Sequence, residues 1–485
     1  MKRFSAIASA WLVLTVSLHA QTGPNDLVSA RAMAERGVAT GQLYLGESYR
    51  DGDGVAKDLK EAARWFRLAA DQGNALAQFN LGYLYFVGQG VPEDHKEAVR
   101  WYRAAAEQGI DLAQNNLAYS YRKGDGVAQD SKEAVRWYRM AADKGNATAQ
   151  TALGDCYHDG EGVMHDFKES LRWYRLAAEQ GNAVAQFHVA EAYRTGEGVA
   201  VDNKEAARWY RLSADQGYVT SQAFLGLMSA AGLGVPRNVA EAARLFKLAS
   251  DQGHKVAMFN LADCYRLGEG VARDPKEALR LYRFLAEHDD LPAQNNVGMA
   301  YRDGDGVARD AVEAVRWFRQ AAEKGHPGAQ VNLGTVYLKG DQGVAQDYKE
   351  ALRWFHAAAD QSDAVAQFNL GGMYERGEGV TKSLVEAAKW YGLAADQGDS
   401  TAQLRLGKMF AAGEGVKRDG VQAWKWLDLA TGGTEASAEE AAVAVKSRNE
   451  VAVGMNAAQL AEARRQVEKW KADQVAAQPF GLFSK

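Results

Sequence analysis

Residues 74–109 read NALAQFNLGYLYFVGQGVPEDHKEAVRWYRAAAEQG, and this stretch decides the fold. From Asn74 to Val87, residues Ala77, Leu81, Leu84 and Tyr85 fall at helical spacing and make one apolar stripe. Gly82 sits beside that stripe, where the lack of a side chain lets a second helix approach closely. Gly88-Gln89-Gly90-Val91 turns the chain. Asp94 reads as the N-cap of the second helix, and Glu97, three residues on, as the other half of a capping box. Ala98, Trp101, Tyr102 and Ala105 form the buried face of that helix, and Gly109 supplies a left-handed end.

The pattern returns every 36 residues. Its marker is a basic residue, a Trp and an aromatic, as in Arg64-Trp65-Phe66, Arg100-Trp101-Tyr102 and Arg136-Trp137-Tyr138, and on to Lys389-Trp390-Tyr391. Leu245 and Leu281 take the Trp place in copies six and seven, and Trp426-Leu427 closes the series. One residue is inserted near Gln342, in copy nine. Neither helix of a copy can bury its stripe alone, so each hairpin must stack on its neighbours. The expected fold is all-α: a right-handed α-solenoid superhelix of eleven two-helix repeats with helical caps at both ends. The 49 glycines against 7 prolines fit this, because Gly recurs as punctuation between helices and no Gly/Ser-rich linker occurs.

The segments divide accordingly. Residues 1–20 carry Lys2 and Arg3, an apolar run from Ala6 to Leu18 and a Leu18-His19-Ala20 cleavage site, the three parts of a secretory signal peptide. That run of 13 residues is short of the roughly 20 that span a membrane, so the mature chain is expected to have no transmembrane span. A retained signal anchor is the alternative, since Leu18 is larger than the small residue preferred at its place. Residues 21–37 are expected to hold an N-terminal capping helix, 38–434 the eleven repeats, and 435–485 two capping helices and a Pro-Phe-Gly-Leu tail. Export makes the chain periplasmic or secreted.

Ala-Gln-x-Asn-Leu-Gly-x-x-Tyr, then Gly-x-Gly-Val, then Asp-x-Lys-Glu-Ala-x-Arg-Trp-Tyr, then Ala-Ala-Glu-Gln-Gly resembles the Sel-1-like repeat, a longer relative of the tetratricopeptide repeat. The resemblance covers roughly Gly37 to Gly433. It implies a non-enzymatic adaptor or scaffold of the bacterial envelope or secreted fraction, with the first helices lining a concave groove that binds protein or extended peptide.

The residues offer little chemistry. The 57 basic and 62 acidic residues form no long run of one sign, which excludes a nucleic-acid groove. No His-Glu-x-x-His and no Gly-x-Ser-x-Gly is present. Cys156, His158 and His165 with Asp159 and Asp166 make the best metal-like cluster, but Cys156 takes the place of Leu84 and Asp166 is a routine N-cap. Catalytic residues, metal ligands and cofactors are therefore expected to be none. No disulfide is expected either. Cys156 and Cys264 lie 108 residues apart at equivalent places, very roughly 25–30 Å at helix packing distance, and a disulfide needs Cα atoms within about 7 Å.

Candidate binding residues come from the helical wheel. Positions 79, 83 and 86 fall together, roughly opposite the buried stripe. Copy two carries Tyr83 and Phe86 there, with Tyr119 next door, an apolar patch of the kind that marks docking sites. Asn80, Asn116, Asn260, Asn296, Asn332 and Asn369 recur at one place and suit a peptide backbone. Arg122, Arg194, Arg266 and Arg302 recur at another and suit carboxylates. The alternatives are structural. Asn can bond a neighbouring helix, Arg194 and Arg266 can pair with Glu191 and Asp263, and Phe79, with counterparts Phe187, Phe259 and Phe368, can pack between repeats. Two other functions stay open: a glycan-binding or polysaccharide-export factor using the Arg row, and an enzyme or binder of cell-wall fragments or β-lactams.

Overall fold

A computed structural model of the chain describes residues 26–432 and 437–477. The signal-peptide segment and the Pro-Phe-Gly-Leu tail lie outside the described residues. Among these there are 25 helices and no strand, only an isolated bridge between Asp341 and Val344 at the inserted residue. No helix among them is long and apolar enough to cross a membrane. The chain divides into two compact units, Met1–Ala257 and Met258–Lys485.

In the first unit, helix α1 (Leu27–Glu35) precedes hairpins α2 (Ala39–Asp51) and α3 (Leu59–Asp71), and α4 (Ala75–Val87) and α5 (His95–Glu107), followed by α6 (Asp111–Lys123) and its successors. Each first helix starts on an Asn, Asp or His side chain in most copies; in α4 Asn74 accepts from Ala77 N–H at 2.9 Å. It ends at a left-handed Gly88, where the next amide, Gln89 N–H, returns to Leu84 O at 3.1 Å. Ala77, Leu81 and Leu84 are buried in one cluster with Phe66, Ala69 and Ala70 of the preceding copy and with Trp101. Gly82 lets the Tyr102 ring in: a β-carbon there would meet Tyr102 Cδ1 at 2.9 Å. α1 stands where a preceding copy's second helix would be, burying Ala30 and Ala34.

The second-helix cap is simpler than its spacing implies. Asp94 accepts from Lys96 N–H at 2.9 Å and Glu97 N–H at 3.1 Å. The return half of a capping box is missing, because the Asp94 N–H donates across the loop to Tyr85 O at 2.9 Å. Glu97 instead pairs with exposed Arg100 at 3.3 Å, an ion pair of small stabilising effect. Reciprocal boxes form only near the end of the chain among these helices, at Ser437/Glu440 and Asn456/Gln459.

A buried seam of glutamines ties the copies together. Gln78, 6% exposed, donates to Ala70 O of the preceding hairpin at 3.2 Å and accepts from Gln108 at 2.8 Å. Gln42, Gln150, Gln186 and Gln222 repeat both bonds. In the second unit the same seam runs through Gln330 and Gln367. The last two helices, Ala438–Val453 and Ala457–Ala477, close that unit, with Ala463 and Val467 buried against Trp424 and Trp426.

Candidate partner-binding surface

The outward positions of the first helices are less open than the helical wheel implies. Tyr83, Phe86 and Tyr119 are half-buried and pack against the core cluster of copies two to four. The Phe86 ring lies 4.9 Å from His95 and 6.4 Å, edge-on, from Tyr119. The Phe79 ring packs, tilted, against Tyr102 at 6.1 Å, and Phe187, Phe259 and Phe368 pack tilted or edge-on against Tyr210, Tyr282 and Tyr391. Phe79 is thus a packing residue within its own copy.

The Asn and Arg rows meet each other. Asn80 is buried and accepts from Arg50 at 3.4 Å, while Asn332 accepts from Arg302 at 2.9 Å and donates to Asn295 at 2.9 Å. Asn116 accepts from Asn115 at 3.2 Å, and Asn369 donates back to Val365 O at 2.8 Å. Asn260 and Asn296 are half-buried. Each Arg has a carboxylate: Arg122 has Glu161 at 2.7 Å, Arg194 has Glu191 at 2.7 Å, Arg266 has Asp263 at 2.8 Å and Arg302 has Asp303 at 2.7 Å.

Copies four and five carry a charged tract. Asp155, Asp159 and Glu161 surround Arg122, at 3.6, 3.8 and 2.7 Å. His158 bridges Asp159 at 2.7 Å and Glu197 at 3.2 Å. The bond to Asp159, with that to Glu197, raises the His158 pKa against its desolvation. His188 stacks flat on Tyr174 at 4.5 Å, and burial lowers its pKa. Beyond it Phe224 stacks on Tyr210, with Arg194 over its face.

One position separates the aromatic copies from the charged ones. The Tyr174 hydroxyl donates to Asp155 at 2.8 Å, Tyr282 donates to Asp263 at 2.7 Å, and Tyr210 bonds Glu191. In copies two and three the acid is replaced by Tyr83 and Tyr119. The buried Tyr102 hydroxyl, beside Asn116, has no partner in hydrogen-bonding geometry. The 19-residue offset between that acid and the Tyr recurs in the sequence, so the pairing was available to a reading that aligned the copies.

Cys156 is buried and Cys264 half-buried, and both are free. Among the described residues no group of three or more His, Cys, Asp or Glu is arranged to hold a metal ion.

No curated protein matches the chain. Among solved structures, a protective antigen of uropathogenic Escherichia coli strains displaying an SLR fold is 35% identical, with a TM-score of 0.82 over 95% of this chain and 99% of its own. A Sel1 repeat protein from Oxalobacter formigenes is 34% identical over 50% of this chain and 95% of its own, with a TM-score of 0.45. The family model described as Sel1 repeat matches eleven consecutive segments from 39–74 through 400–431, with a 37-residue copy at 327–363 where the bridged loop holds its extra residue. Hairpin and family pattern coincide copy by copy, and the chain belongs to the Sel1-repeat family.

Proposed function

We propose that this Sel1-repeat chain is an exported, non-enzymatic scaffold of the bacterial envelope or secreted fraction that binds a protein or extended peptide along its first helices. The observation that carries this is the contrast between positions. Core places repeat from copy to copy, whereas the outward places change from Tyr83 and Phe86 to Tyr119 and Arg122, then Asp155 and His158, then Glu191 and Arg194. Packing alone asks for no such variation, and partner recognition does. The N-terminal signal pattern supports export, as does the similarity to a protein described as a protective antigen. The glycan reading loses its main support, since Arg122, Arg194, Arg266 and Arg302 are each occupied by a carboxylate.

The test is site-specific photocrosslinking in the exporting organism. A photoreactive phenylalanine at position 86 or 119 should trap a protein, and one at exposed position 100 on a second helix should not. Crosslinks from position 100 alone would overturn the reading, as would salt-sensitive binding to acidic glycans with none to peptides. N-terminal sequencing of the native protein tests export, and Met1 intact on a cytoplasmic form would end it.

A further inference from the structure

We infer that copies two to five recognise an extended peptide that carries a large apolar or aromatic anchor and, three to six residues away, a basic residue. The inference rests on the scaffold reading and names the chemistry of its partner.

The anchor site is the aromatic patch of Tyr83, Phe86 and Tyr119. Beneath it Tyr102 is 1% exposed, and its hydroxyl, with the Asn116 side chain beside it, makes no hydrogen bond of good geometry. In copies four, five and seven the equivalent hydroxyl bonds a carboxylate at the place Tyr83 holds. The Tyr102 hydroxyl therefore points toward that place. An unpartnered buried donor is costly to the free protein. A peptide carbonyl that accepts from it as the anchor seats and the Tyr83 ring turns aside would remove that cost.

Charge fixes the second element. The adjoining tract holds Asp155, Asp159, Glu161, Glu191 and Glu197 against Arg122 and Arg194, and it remains acidic when exposed Lys123 and a protonated His158 are counted as well. Asp159 is the most open of these acids, with a side chain 55% exposed. Neighbouring hairpins pack about 10 Å apart and an extended chain rises about 3.3 Å per residue, so one to two copies correspond to roughly three to six residues. An acidic peptide would be repelled there.

The test uses fluorescence anisotropy with labelled 14-residue Gly/Ser peptides. One carries Phe followed by Lys-Lys at four and five residues on, one Phe with Glu-Glu, and one Ala with Lys-Lys. The Phe/Lys-Lys peptide should bind at least about tenfold tighter than either other, as expected for a buried anchor plus a complementary charge. Tyr102→Phe should fold as well as the wild type, because Phe66, Phe246, Phe318 and Phe355 hold that place in other copies. Its affinity should fall about fivefold, the value of one hydrogen bond. Asp159→Asn with Glu197→Gln should erase the preference for Lys. Equal binding of the Lys-Lys and Glu-Glu peptides, an affinity untouched by Tyr102→Phe, or no binding at all would overturn the inference. Crosslinking from positions 86 and 119 would still occur if the scaffold reading alone were right.

Discussion

Gly90 lies against the carbonyl of Leu59, on the first turn of the preceding copy's second helix, so closely that a β-carbon at Gly90 would overlap the Leu59 oxygen. Gly90 also has φ +74. The same approach recurs at Gly126 on His95, Gly162 on Ser131, Gly198 on Phe167 and Gly234 on Asn203. The second glycine of each Gly-x-Gly turn is thus the point where one copy's loop seats on its neighbour. Gly90→Ala should cost about 1–2 kcal/mol for the backbone and roughly 1–3 kcal/mol more for the displaced helix. Gly73→Ala, with φ +86 and nothing within 4 Å, should cost the backbone part alone. Urea melts of the two variants check this, and equal losses would show that the loop seat carries no stability.

The glutamine seam leaves an orphan acceptor at two copies. Lys144 and Lys324 stand where the partner Gln is expected, and the buried Gln114 Oε1 and Gln294 Oε1 have no donor. Lys144 spends its ammonium on Gly109 O at 2.5 Å, at the surface. Lys144→Gln should stabilise the chain by about 0.5–1.5 kcal/mol by giving Gln114 the bond that Gln78 receives from Gln108. A lower melting temperature would show that the surface bond outweighs the buried one. Copy seven is informative here: Met258 and His288 replace both partners together, which leaves no orphan acceptor of this kind.

The period, the hairpin and the Trp/Tyr core were legible because each rests on local spacing that a 36-residue repeat displays eleven times. The capping box is absent despite its spacing, because spacing shows which side chain can reach an amide, not that the Asp94 amide is already held by Tyr85 O across the loop. A wheel drawn for one helix placed position 86 in the open. The neighbouring Tyr119 and the helix behind it half-cover Phe86, and an isolated wheel contains neither. The Gln seam has a signal in the sequence too, since Gln recurs at its place in ten of eleven copies. A polar residue fixed beside an apolar stripe is the sign of a buried hydrogen bond.

The two thiols differ from ordinary surface cysteines. Burial pushes Cys156 up to about 12 and Cys264 up to about 11. Native protein at pH 8 should therefore react slowly with iodoacetamide, and both thiols should titrate after denaturation without reductant. A folded pKa above the unfolded value of 9.0 means that this stabilisation is complete below pH 9 and is lost as pH rises through 11 to 12. Melting temperatures should fall over that window, less so in Cys156→Ala with Cys264→Ala. A thiol count of zero in denatured monomer would contradict the free cysteines.

The decisive comparison sets Tyr83 and Phe86 against Trp101. Trp101 is 5% exposed, wedged between copies with Arg67 over its ring at 5.7 Å. Trp101→Ala should cost roughly 3–5 kcal/mol through the cavity it leaves, and should weaken binding only by loosening nearby repeats. Tyr83 and Phe86 are half-buried against the adjoining cluster around Tyr102, so Tyr83→Ala with Phe86→Ala should cost less, about 1–3 kcal/mol. Their exposed halves are the part a partner would cover, and losing a seated aromatic anchor costs about 2 kcal/mol or more of binding. The double variant should therefore lose more partner affinity than its melting predicts, and Trp101→Ala should lose no more than its melting predicts. Should both variants fall on one line of binding against stability, the aromatics are core alone, and the partner surface lies elsewhere on the array.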